Sequence, residues 1–151
     1  ESKKKLGVTL RNAFANGIIP LSIIPGIEPG ALMAIAKEDF CKVLILNSLG
    51  IGNIPSEGKY SVVSVIDQIV HKLKKLVIIT SPFVGGDTNM QVYLPGKLAM
   101  DAGAIDAGNM TAEATLVKTR LLLAHPEFGT SANAFKKVLL MNFAGENSSV
   151  L

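Results

Sequence analysis

The residues of this sequence best placed to do chemistry are small amides and hydroxyls at the ends of apolar runs. Asn53 stands out, in the segment Leu49-Gly50-Ile51-Gly52-Asn53-Ile54-Pro55, which follows the apolar run Val43-Leu44-Ile45-Leu46. A short apolar run closed by glycines reads as a buried strand ending in a tight loop. In open α/β sheets ligands sit outside the carboxyl ends of the strands, so a polar side chain there is positioned to touch one. Asn53 carries a donor and an acceptor, enough to read a small polar molecule. Asparagine is also a common turn residue, so a second reading, in which Asn53 only ties down its own turn, stands beside the first. Thr80, Ser81, Asn89, Asn109 and Thr111 also follow apolar runs closely. Together they make a binding rim rather than a reaction mechanism.

Other chemistries lack their parts. His71 and His125 lie far apart in sequence and Cys41 is the single cysteine, so neither a metal-ligand cluster nor a disulfide framework is expected. Cys41 adjoins an apolar run and reads as a small buried or half-buried residue. There is no Gly-x-Ser-x-Gly elbow and no P-loop, and the Gly50-x-Gly52 pair lacks the third glycine of a dinucleotide fingerprint. Asp67, Asp101 and Asp106 are isolated acids and read as surface residues or caps. No metal and no cofactor is expected. The net charge is +3, with lysines gathered at Lys3-Lys4-Lys5 and around Lys72, Lys74 and Lys75. No aromatic residues interleave with them, which argues against a nucleic-acid groove. The composition is 48% hydrophobic, yet no apolar run is long enough to span a bilayer.

The elements that must position the rim are read from periodicity. The run Gly17–Ile24, broken by Pro20, reads as an edge or first strand. Pro29 opens a short helix through Ala36, since its missing N–H costs nothing in a first turn. Val43 to Asn47 and Leu76 to Thr80 read as strands, and their unbroken apolar character implies burial on both faces. Between them Val62, Ile66, Ile69, Val70 and Leu73 recur at helical spacing, with His71 on the polar side. A short helix is expected over Gly96–Ala102 and a weak fourth strand over Ala104–Ala107. A helix capped by Thr111 follows, with Glu113 in its first turn and Ala114, Val117, Leu121 and Ala124 on its buried face. A last helix spans about Ser131–Met141, and Asn147–Leu151 reads as a polar tail. The expectation is therefore an α/β fold of three layers: a roughly four-stranded parallel sheet with helices on both faces, Rossmann- or flavodoxin-like.

Several stretches resemble, in order and spacing, the C-terminal domain of cytoplasmic type I L-asparaginases and, more distantly, the D subunit of archaeal glutamyl-tRNA amidotransferase. They are Ile24-Pro25-Gly26-Ile27-Glu28-Pro29, the Leu49–Pro55 segment, and the set Gly86, Asn89, Met90, Tyr93, Gly96 and Leu98. Ala102-Gly103-Ala104-Ile105, Met110-Thr111-Ala112-Glu113-Ala114-Thr115-Leu116-x-Lys118 and Gly145-Glu146 complete the series. The resemblance implies that residues 1–16 are a linker from a missing N-terminal catalytic domain and 17–151 an asparaginase C-terminal domain. It implies a parent hydrolysing L-asparagine to L-aspartate and ammonia, with the nucleophilic threonine outside this chain, so that the fragment alone is inactive. It further implies a cytoplasmic homodimer or tetramer in which this domain lends residues to a neighbouring active or effector site. Asn53, Gly52 and Ser81 would then bind substrate or effector, while Asn89, Tyr93, Asn109, Thr111 and Glu113 support the loops. Two departures bear on the effector site. The family's usual Asp-Met-Thr is Asn109-Met110-Thr111 here, and its Thr-Gln-Cys or Thr-His-Cys is Ser81-Pro82-Phe83. The amidotransferase subunit and a stand-alone α/β binding or assembly domain are the alternative readings.

Overall fold

The computed structural model describes residues 9–83, 94–128 and 131–147. Four parallel strands form one sheet in the order β1-β2-β3-β4: β1 (Ile18–Ser22), β2 (Val43–Asn47), β3 (Leu76–Thr80) and β4 (Ile105–Asp106). Five α-helices accompany them: α1 (Pro29–Lys37), α2 (Val63–His71), α3 (Leu94–Asp101), α4 (Ala112–Ala124) and α5 (Ala132–Leu140). The α/β class, the parallel sheet and the helices on both faces match the sequence reading. β1 and β4 are shorter than their apolar runs, and Pro20 sits in an edge strand, where a missing donor is tolerated.

The core follows the pleat. Successive strand residues point to opposite faces. Leu44, Leu46, Val77 and Ile79 pack with Leu32, Ala36, Ile66, Ile69 and Ala99 on one face. Val43, Ile45, Ile78 and Ile105 pack with Met110, Leu122, Phe135 and Leu139 on the other. The strand order is sequential, without a reversal. Right-handed crossovers therefore lay α1, α2 and α3 along one face, and α4 and α5 return to cover the other. A sheet without a reversal has no switch point at which neighbouring crossovers diverge to open a wide crevice.

Two expectations fail. The buried face of α4 is Thr115, Lys118, Thr119 and Leu122, not the Ala114–Val117–Leu121–Ala124 stripe, and Val117 is 55% exposed. The cause is the C-terminal segment, which folds over α4. Lys118 Nζ lies 2.5 Å from Glu146 Oε1, also donates to the Met141 carbonyl, and sits 4.6 Å from the centroid of the Phe143 ring. Asn147 is likewise no solvated residue: it is fully buried, and its Nδ2 donates to the Leu140 carbonyl at the end of α5. At the other end of the chain, residues 9–16 form no helix or strand but are tied to α4. Ala15 N–H donates to the Arg120 carbonyl, and Arg120 Nε donates back to the Ala15 carbonyl, each at 2.9 Å.

Candidate functional site

At the carboxyl edge of the sheet, β2 ends in Asn47 and β3 in Thr80, partners in register. The loops that follow are held by hydroxyls. Ser48 Oγ donates to the Thr80 carbonyl at 2.8 Å, and Ser81 Oγ donates to the Gly50 carbonyl at 3.1 Å. Ser81 Oγ also accepts from the Phe83 N–H at 3.1 Å, and Thr80 Oγ1 donates to Asn47 Oδ1 at 3.4 Å. The two loops are thus fastened to each other and to the strand ends. Ser48, 4% exposed, was missed by sequence reasoning. A serine just past an apolar run and its closing asparagine, two residues before a glycine, was the available signal.

The Leu49–Asn53 loop closes on itself. Leu49 N–H donates to the Asn53 carbonyl at 2.9 Å and Asn53 N–H to the Leu49 carbonyl at 3.0 Å. Gly50 and Gly52 take φ of 58° and 108°, in the region that side-chain-bearing residues avoid, so this turn needs its glycines. The backbone alone secures the turn. The half-buried Asn53 carboxamide makes no hydrogen bond among the described residues and remains available to a ligand.

Beside this loop a cleft of about 120 Å3 is lined by Asn47, Ser81, Pro82, Phe83, Thr111, Ala112 and Glu113. Its far wall is the N-terminus of α4, where Thr111 Oγ1 accepts from the Ala114 N–H at 3.2 Å. Glu113 stands in the first turn. Its own backbone N–H, then the Thr111 hydroxyl, hold its carboxyl below the usual carboxylate range. The positive end of a thirteen-residue helix and the amide of Asn47 favour a small anionic or amide group, and the Glu113 carboxylate at the rim favours an ammonium. No group of three or more His, Cys, Asp or Glu residues suited to a metal occurs among the described residues. Cys41 is buried, and that burial raises its thiol pKa, with Lys75 partly offsetting. It sits before β2, at the opposite end of the strand from this cleft.

The structure therefore brings Ser81, Thr111 and Glu113 into one cleft and sets Gly52 and Asn53 in the adjoining loop. Asn109 lies outside the cleft lining, between β4 and α4. Asn89 and Tyr93 fall outside the described residues.

Residues 18–138 match the Glutaminase/Asparaginase C-terminal domain family. The chain belongs to that family. L-asparaginase of Thermococcus kodakarensis is 30% identical over 129 residues, covering 85% of this chain and 37% of the relative. The D subunit of glutamyl-tRNA(Gln) amidotransferase from Aeropyrum pernix is 30% identical over 142 residues, covering 94% of this chain and 31% of the relative. The solved structure of the thermostable T. kodakarensis L-asparaginase superposes with a TM-score of 0.79 at 28% identity, over 91% of this chain and 39% of that one. L-asparaginase I from Vibrio cholerae shares the fold, with a TM-score of 0.80 at 22% identity, over 97% and 42%. This asparaginase-family domain thus spans a little over a third of the length of the asparaginases it matches. No helix among the described residues is long and apolar enough to cross a membrane.

Proposed function

We propose that this domain serves a longer, cytoplasmic amidohydrolase of asparagine metabolism, which cleaves L-asparagine to L-aspartate and ammonia. The observation that carries the reading is the unspent Asn53 carboxamide on a turn that the backbone already closes. Its NH2 can donate to a substrate carboxylate and its carbonyl can accept from a substrate ammonium, the two groups common to every α-amino acid. The backbone that carries this carboxamide is fixed before the ligand arrives, so only the side chain remains to be ordered on binding. Attack on the amide carbon needs a nucleophile with an adjacent base. The carboxyl-edge hydroxyls of Ser48, Thr80 and Ser81 instead donate to carbonyl or amide oxygens, a bonding pattern that positions loops. In this reading the nucleophile belongs to an N-terminal asparaginase domain, and the present chain alone is inactive. The chain contributes contacts of a homodimer or tetramer and lends Asn53, Gly52 and Ser81 to a neighbouring active or effector site. Thr111 and Glu113 frame the cleft, and Asn109 supports the loop that leads into α4.

The test is ammonia release from L-asparagine, measured side by side on the present chain and on the full-length protein. Release by the longer protein only supports the reading. Release by the chain alone, or by neither with both folded, contradicts it. A second reading is favoured by the 94% coverage of this chain in the match to an amidotransferase D subunit. Ammonia release from glutamine that depends on glutamyl-tRNA would select it.

A further inference from the structure

The opposite, amino edge of the sheet holds a larger cleft, of about 390 Å3, at the entry to β2 and β3. Its apolar surface comes from Val43, Leu76, Leu122, Leu123 and Phe135, and two lysines, Lys42 and Lys74, stand on it. Lys42 immediately precedes β2 and Lys74 lies two residues before β3. Val43 and Leu76 are partners in register, so both lysines stand at the entry to adjacent strands and line the same cleft. Neither has an ion pair or side-chain hydrogen bond among the described residues, unlike Lys118, which is buried against Glu146, or Lys75, whose ammonium donates to the Ala36 and Glu38 carbonyls at 2.7 and 2.8 Å. Lys74 is also the one non-glycine residue with a left-handed backbone among the described residues, at φ 57°. It follows α2 where the Lys75 N–H returns to the Ile69 carbonyl, a helix-end position that glycine fills at lower cost. The first turn of α5, beginning at Ser131 and Ala132, closes the cleft with a further positive end.

From this geometry we infer a second binding site, distinct from the carboxyl-edge cleft, for a small amphiphilic anion: a carboxylate or phosphate head on an apolar body. The head would lie between Lys42 and Lys74, and the body against Leu76, Leu122 and Phe135. The cavity lies in the size range of small-molecule sites, and an apolar wall with a few convergent charges is their usual chemistry. Both lysines are exposed and have no ion pair among the described residues, so their ammonium groups are open to a ligand head lying at the mouth of this apolar cleft.

The inference is tested by titrating the 15N-labelled protein with octanoate and, separately, with hexyl phosphate, following amide shifts. The controls are acetate, which has the head without the body, and 1-octanol, which has the body without the head. Saturable shifts confined to residues around Lys42, Lys74–Leu76 and Ser131–Phe135, with either amphiphile and neither control, are expected. The arm that saturates at lower concentration identifies the head group. The double variant Lys42→Met, Lys74→Gly should bind about tenfold more weakly. Its glycine relaxes the left-handed backbone, so Tm should not fall and loss of binding cannot be put down to unfolding. Three results would overturn the site: no saturable shift with either amphiphile, equal binding of 1-octanol, or unchanged affinity in the folded double variant.

Discussion

The two edges of the sheet use polar groups in opposite ways. At the carboxyl edge nearly every hydroxyl is engaged: Ser48, Thr80 and Ser81 bind neighbouring carbonyl or amide oxygens, and Thr111 caps α4. What remains open there is amide, on Asn53. At the amino edge the cleft is more than three times larger, and its charges, on Lys42 and Lys74, have no partner among the described residues. The backbone shows the reverse contrast. A Cβ on Gly17, just before β1, would collide with the Phe40 carbonyl oxygen, whereas one on Gly50 would find its nearest neighbour, Phe83, at 3.9 Å. The amino edge combines a close backbone approach at Gly17 with a wide cleft carrying free charge. The carboxyl edge has a narrower cleft, and its loop polarity is spent on holding a few amides in place.

The largest predicted effect separates paired from unpaired lysines. Lys118→Met should cost about 3 kcal/mol or more in urea unfolding, because it strands the Glu146 carboxylate. Lys42→Met should change stability by less than about 0.5 kcal/mol. Equal effects would erase the distinction. Burial alone would raise the Glu146 carboxyl, but the Lys118 ammonium and the Ala144 and Phe143 N–H groups outweigh it and hold the pKa at about 2, against 4.5 for a free side chain. A lowered folded-state pKa contributes stability that is complete above 4.5 and lost as pH falls through 2. The wild-type chain should lose up to about 3 kcal/mol across that window, and Lys118→Met much less.

Next come the glycines. Gly17→Ala combines a φ of 90° with a backbone collision and should cost more than about 3 kcal/mol, while Gly50→Ala should cost about 1–2 kcal/mol for its conformation alone. A smaller loss for Gly17→Ala than for Gly50→Ala would reverse the contrast between the edges. Ser81→Ala removes a donor to Gly50 and an acceptor for Phe83, and about 1 kcal/mol is expected in thermal unfolding. A neutral result would free Ser81 from its loop-holding role.

β2 and β3 were legible in the sequence to the residue, because buried parallel strands are unbroken apolar runs rich in branched aliphatic residues. The cap at Thr111 followed from residue type, whereas Ser131, read only as the start of the last helix, proves to cap it as well. The face of α4 was not legible. Its buried residues include two threonines and a lysine, and local apolar spacing cannot reveal a carboxylate twenty-eight positions away that makes a buried lysine tolerable. The same long-range closure hid the burial of Asn147. At the candidate site the loop after β2 and its asparagine were readable from Gly50-x-Gly52-Asn53. Which hydroxyls were already engaged was not, since that depends on the parallel register of Asn47 with Thr80. The amino-edge cleft left no local signal, because Lys42, Lys74 and Phe135 converge only when β2, β3 and α5 assemble.

The most direct test of the account is kcat/KM for ammonia release from L-asparagine by the full-length protein carrying Asn53→Ala. With the turn closed by backbone hydrogen bonds, Tm should stay unchanged while kcat/KM falls by roughly tenfold or more, the worth of one or two substrate hydrogen bonds. Unchanged kinetics with an unchanged Tm would remove Asn53 from the site. A large fall in Tm would show that the side chain serves the turn after all.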